Sequence, residues 1–172
     1  GQQVDVPVSV HALENVGAIS LKILFSSTFL SFTGVTYNNI PPSWNPGVPI
    51  TGFVVGLYSP GVIKAAGTGP AFTLTSPDTV LFTLHFTYIG GPAGGSSNLV
   101  WDDGDGSSCE YTPFLPPDFI PYCDIPTATF YKNGTVTVKP LPTLISLPTG
   151  GPFCSGSTVT YSPASSLPLT TF

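Results

Sequence analysis

The residues able to do chemistry gather in one place. Asp102, Asp103, Asp105, Ser107 and Glu110 form the single acidic cluster of the chain. Calcium takes about six to eight oxygens, and alternate acidic residues on a loop supply several of them. The candidate ligand set is Asp103, Asp105 and Glu110. An EF-hand-type loop wants an acidic ligand at its last position, and counting from Asp103 places Phe114 there, so the spacing fits poorly. A solvated turn is the competing reading. His11 and His85 are the only histidines. A catalytic histidine needs a nucleophile and an orienting acid, and no motif in the sequence supplies that set. Glycosidase chemistry needs two carboxylates in different environments. Glu14, Glu110 and the aspartates pair on paper only, which leaves a small hydrolase the least supported function.

Three further residue types carry expectations. Cys109 and Cys123 lie in one long, Pro-rich insert with little periodicity, and a disulfide between them is expected to order it. Closing a loop of about fifteen residues stabilises by roughly 3 kcal/mol in the chain-entropy model. Cys154 is then the odd cysteine, with its partner beyond Phe172 or on another chain. Trp44 sits in the loop Pro41-Pro42-Ser43-Trp44-Asn45-Pro46-Gly47. It is placed either to stack on a sugar ring or to fold back over a core edge. Asn133-Gly134-Thr135 matches an N-glycosylation acceptor, but Asn-Gly also reads as a hairpin turn, the preferred reading here.

The whole composition narrows the class. Of 172 residues, only 8% are charged, far below the usual quarter or so of a soluble domain. Lys22, Lys64, Lys132 and Lys139 are the only basic residues, and arginine is absent. No bidentate guanidinium clamp on phosphate is therefore available. A net charge of −5 argues against a nucleic-acid partner, whose footprint on a protein is basic. Mean hydropathy is +0.32, yet no stretch approaches the ~20 apolar residues that span a bilayer. With no Met and no basic, apolar leader, the chain reads as a processed or excised piece of an extracellular protein.

The elements that must position these residues are strands. Val80, Phe82, Leu84, Phe86 and Tyr88 alternate with Thr79, Leu81, Thr83, His85 and Thr87. One face is core and the other mostly hydroxyls, with His85 among them. Val4 to Val10 and Ile19 to Phe25 alternate similarly, and Pro7 marks an edge or a bulge. Further strand candidates are 29–37, 51–58, 62–66, 71–75, 98–101, 126–131 and 134–139, separated by Gly/Pro/Asn-rich turns. No sustained helical stripe occurs, so the fold expected is an all-β sandwich or jelly roll. A boundary falls near Pro140-Leu141-Pro142.

Two stretches carry a family resemblance. The opening Gly1-Gln2-Gln3-Val4-Asp5-Val6-Pro7-Val8-Ser9-Val10, with Val16-Gly17-Ala18-Ile19-Ser20-Leu21 and Phe29-Leu30-Ser31-Phe32-Thr33-Gly34-Val35, looks like the start of a cohesin domain. The stretch from Leu99-Val100-Trp101 through Cys109-Glu110-Tyr111 to Phe130-Tyr131-Lys132-Asn133-Gly134-Thr135-Val136-Thr137-Val138 resembles the close of cohesin-like domains in Bacteroidetes surface proteins. Phe153-Cys154-Ser155-Gly156-Ser157-Thr158-Val159-Thr160-Tyr161 is similar to the first strand of PKD-like or immunoglobulin-like repeats. The resemblance implies a cohesin-like β-sandwich over 1–139. A linker and an incomplete immunoglobulin-like segment follow over 140–172. The short opening strand of cohesins is missing and the insert at 104–124 is long, so dockerin binding is carried to no named residue. Asp78-Thr79-Val80 resembles the motif on which such bacteria attach O-linked sugars, which makes Thr79 a modification candidate.

Taken together, the expected function is a non-enzymatic structural or adhesive module of an extracellular, cell-surface protein or fibre. Its partners are further domains of the same chain or copies of itself, with a glycan as another ligand class. The alternative is a cohesin-type protein-binding or a carbohydrate-binding module. No cofactor is implied beyond the calcium considered above. Thr158, Thr160 and Ser162 alternate with Val159 and Tyr161, a half-buried strand pattern lacking neighbours. Strand exchange between copies, which does not close and so makes filaments, is one reading of this tail. The start of a following domain is the other.

Overall fold

The computed structural model describes residues 1–49, 52–91, 94–104, 108–113 and 127–139. The tail beyond 139, with its expected strand at 157–162 and the domain boundary, lies outside the described residues. The strands are β1 (Gln3–Val10), β2 (Leu13–Leu24), β3 (Leu30–Tyr37), β4 (Val54–Ser59), β5 (Val62–Leu74), β6 (Thr79–Tyr88), β7 (Ser96–Trp101), β8 (Glu110–Pro113) and β9 (Gly134–Thr137). Among the described residues a 3-10 turn covers Pro42–Trp44, and one helical turn, α1, covers Thr127–Phe130. The strand expected at 126–131 is therefore corrected to α1 where it is described. Tyr131 and Trp101 pack ring to ring beside it at 5.7 Å.

Two antiparallel sheets face each other. One has the order β1-β6-β3; the other runs β4-β5-β2-β7-β9, with β8 also on β2. β1 stands at a sheet edge, as Pro7 requires, and its ladder slips between Val8 and Ser9. Along β2, Ile19, Leu21 and Ile23 are buried while Ser20, Lys22 and Leu24 between them are half-exposed. The second edge of β2 is shared. β8 pairs with Val16 to Ser20 and β7 with Ile23 and Leu24.

The facing sheets close over rings. Phe82, Leu84 and Phe86 of β6 are fully buried. Phe86 meets Phe25 edge-on at 5.1 Å, and Phe82 meets Phe53 at 5.9 Å. Pairs of this kind add about 0.5–1.5 kcal/mol beyond their burial. The result is the all-β sandwich expected from the period-two pattern.

β5 joins what the sequence presents as two strands, 62–66 and 71–75. Ile63, Ala65, Gly67 and Gly69 share its inward face by alternation. A Cβ on Gly67 would lie 2.5 Å from the Cα of Phe53, and one on Gly69 2.3 Å from Cδ1 of Trp44. The two glycines thus leave the floor on which Phe53 and Trp44 lie. We expect Gly69→Ala to lower stability by about 1–3 kcal/mol, an overpacking cost. Gly56→Ala, where a Cβ meets nothing within 4 Å, is the control. Urea unfolding midpoints check this, and an unchanged midpoint for Gly69→Ala contradicts it.

Candidate functional site

The acidic cluster opens as an ion pair. Lys22 Nζ in β2 lies 2.8 Å from Asp102 Oδ2, and the Asp102 N–H donates to the Lys22 carbonyl at 2.9 Å. Asp102 therefore extends the β7 side of the sheet beside Lys22. Asp103 is exposed and Glu110 lies in β8, whereas Asp105 lies outside the described residues. Among the described residues no three His, Cys, Asp or Glu side chains converge as metal ligands.

Cys109 sits just behind this pair as a buried free thiol. It accepts the Lys22 N–H at 3.5 Å and lies 3.5 Å from the carbonyls of Lys22 and Asp102. Burial pushes the thiol above its usual range, the Asp103 and Asp102 carboxylates add to that, and the backbone hydrogen bonds act against it. Cys123, its expected disulfide partner, lies outside the described residues, as does Cys154.

Trp44 requires a correction. It is fully buried, and its Nε1–H donates to the Pro70 carbonyl at 2.8 Å. Its ring meets Phe72 edge-on at 4.9 Å, so no face is left for a sugar. Folding back over the core is the outcome, on the floor that Gly67 and Gly69 provide. Thr79 opens β6, and its hydroxyl donates to the Ser76 carbonyl at 2.8 Å. Asp78 before it adopts φ +57°, the left-handed turn that starts the strand.

His85 gains partners that no sequence motif announced. Its Nδ1 lies 2.8 Å from Asp5 Oδ1, and its Nε2 lies 2.7 Å from Thr36 Oγ1. These groups come from β1, β6 and β3, brought side by side by the ladder registers. An acid, an imidazole and a hydroxyl in line resemble a nucleophilic triad. The arrangement stands on an open sheet face, however, and Asp5 is exposed. Acyl transfer also needs donors aimed at a developing oxyanion, which paired strand amides do not offer. The network reads as a polar tie across three strands.

The outward face of the other sheet differs in kind. Leu24 pairs with Val62 on one side and Val100 on the other, forming an apolar row across three strands. Tyr58, at the ladder irregularity of β4, stands 68% exposed nearby. The next row sets Gly56, Lys64 and Lys22 side by side. The third sets Val54, Ala66, Ser20 and Glu110 in line. Ala66 and Ser20, at the centre of this third row, are small, and the face carries a shallow depression lined by Ser20, Lys22, Lys64, Ala66 and Ser108.

Comparison with solved structures places this architecture. CaCohA2 of Clostridium acetobutylicum, in its complex with CaDoc0917, is 24% identical, with TM-score 0.59 over 81% of this chain and 91% of that one. The seventh ScaB type I cohesin of Pseudobacteroides cellulosolvens is 15% identical, with TM-score 0.60 over 87% and 90%. The sixth cohesin of Acetivibrio cellulolyticus scaffoldin B, in complex with a Cel5 dockerin mutant, is 20% identical, with TM-score 0.55 over 81% and 90%. No protein-family model and no curated protein matches the chain. The described chain thus has the jelly-roll fold of cohesin modules.

The buried thiol gives a direct check. In the reduced protein we expect Cys109 to alkylate far more slowly when folded than when unfolded, mapped by peptide mass. Its raised pKa favours the protonated native state, so this share of stability is present below the usual thiol range. It is lost as pH rises through the folded-state value. Rapid labelling of the folded chain at neutral pH contradicts the burial.

Proposed function

We propose that this chain is a non-catalytic protein-docking module of an extracellular, cell-surface protein, taking its partner on the outward face of the six-stranded sheet. The observation that carries the reading is the apolar row Val62–Leu24–Val100 with exposed Tyr58 beside it. A flat strip of this kind is what a folded partner covers, with an aromatic anchor at its margin. The cohesin fold supports it, since solved relatives of that fold include one in complex with a dockerin. Among the described residues no helix is long and apolar enough to cross a membrane.

In this reading the Bacteroidetes-type surface protein and the immunoglobulin-like continuation over 140–172 are the proposed context. The structural or fibre-forming role expected first from the sequence rests on the tail and on the missing opening strand, and docking, the alternative there, is the reading preferred here. Thr79 is the proposed sugar acceptor, at a strand start where its hydroxyl faces the Ser76 carbonyl. A sugar mass increment mapped to Thr79 in peptides of the protein from its native host supports that assignment, and an unmodified Thr79 peptide removes it.

Binding to a panel of purified dockerin modules, read by calorimetry, tests the docking function. We expect a one-to-one complex with a monomeric chain and a loss of about tenfold or more in affinity for Tyr58→Ala. Self-assembly into filaments without a partner, or binding that ignores Tyr58, overturns the reading.

A further inference from the structure

Lys22 and Lys64 are direct cross-strand partners on the outward face of β2 and β5. Like charges directly opposite each other destabilise a sheet. The juxtaposition is conspicuous here, because it uses two of only four cations in a chain of net charge −5. The two ammonium groups are handled differently. Lys22 is drawn aside to Asp102 at 2.8 Å and is only 20% exposed. Lys64 is exposed, and its ammonium lies over the ring of Tyr58, 4.0 Å from Nζ to the centroid. A cation over an exposed ring is held only weakly, because water screens the attraction.

The surroundings of Lys64 are shaped for a further group. Its neighbour on β4 is Gly56, where a Cβ would meet nothing within 4 Å. Ala66 and Ser20 in the next row are small, and Ser20 and Ser108 line the depression between the lysines. Among the described residues the face's acids, Asp102 and Glu110, lie on the opposite flank, at the β7 and β8 side. The sheet face is therefore polarised, positive over β5 and negative over β7 and β8.

We infer that the docking partner presents an acidic side chain to Lys64, seated over Gly56 and the serine-lined depression, with its apolar neighbours on Tyr58 and the Val62–Leu24–Val100 row. This inference rests on the docking reading above and specifies the chemistry of that partner. Closing the complex moves Lys64 from the tyrosine ring to the carboxylate and frees the ring to pack against the partner. A carboxylate there balances the second lysine as Asp102 balances the first. The polarity of the face also fixes orientation, since a partner turned around would set its acid against Asp102 and Glu110.

A phage-displayed library of dockerin modules with randomised surface positions, panned on the intact chain, provides the test. Binders selected on the native chain are expected to be enriched in Asp or Glu. They are expected to lose about tenfold or more in affinity for Lys64→Glu and to weaken with added salt. Panning on Lys64→Glu itself is expected to enrich Lys or Arg instead. Unchanged thermal melting of Lys64→Glu keeps folding out of the comparison. Binders that depend on Tyr58 yet ignore Lys64→Glu and carry no acid overturn this inference and leave the docking reading intact. Failure to select any binder sensitive to Tyr58→Ala sinks the docking reading itself.

Discussion

Everything on both sides of the larger sheet depends on the alternation along β2. Ile19, Leu21 and Ile23 must point inward against the β6 sheet, so Ser20, Lys22 and Leu24 must point outward. A slip of one residue would bury Lys22 and expose three large aliphatic side chains, and no partner in the core would receive the ammonium. The register is thereby locked by the cost of the alternative. The same lock holds Lys22 opposite Lys64 and Leu24 between Val62 and Val100. Core and surface are two readings of one strand.

The two outward faces consequently differ in what they can do. The smaller sheet presents Asp5, His85 and Thr36, a network whose polar groups already satisfy one another. Such a face gains little from a visitor, because new hydrogen bonds would replace existing ones. The larger sheet presents an apolar row beside a charge held on an aromatic ring. Covering it removes apolar surface from water and gives Lys64 a stronger partner. On the proposed docking reading, the free energy of association is therefore concentrated on one side of the sandwich.

The fold was largely legible in the sequence, because period-two burial is a local signal. β6 runs from Thr79 to Tyr88 as its pattern predicts, although Leu81, on the hydroxyl side, is buried as well. β5 was split by Gly67, Gly69 and Pro70, whose role as a floor for Trp44 and Phe53 depends on residues far away in sequence. Four-residue β8 was invisible, since it is defined by pairing with β2 rather than by its own alternation, and α1 is too short to display a helical period. The candidate site was much less legible. Lys22 could be placed outward from its own strand, but its apposition to Lys64 depends on the β2–β5 register. Likewise, His85 was placed on its hydroxyl face, while Asp5 and Thr36 arrive from other strands.

The measurement closest to the central claim is a map of backbone and side-chain NMR shifts on titrating the intact chain with a dockerin that binds it. If the alternation of β2 builds the docking face, the largest changes fall on Ser20, Lys22, Leu24, Tyr58, Val62 and Lys64. Asp5, Thr36 and His85 then stay still. Changes centred on Asp5, Thr36 and His85, or along the outer side of β1, would contradict the account.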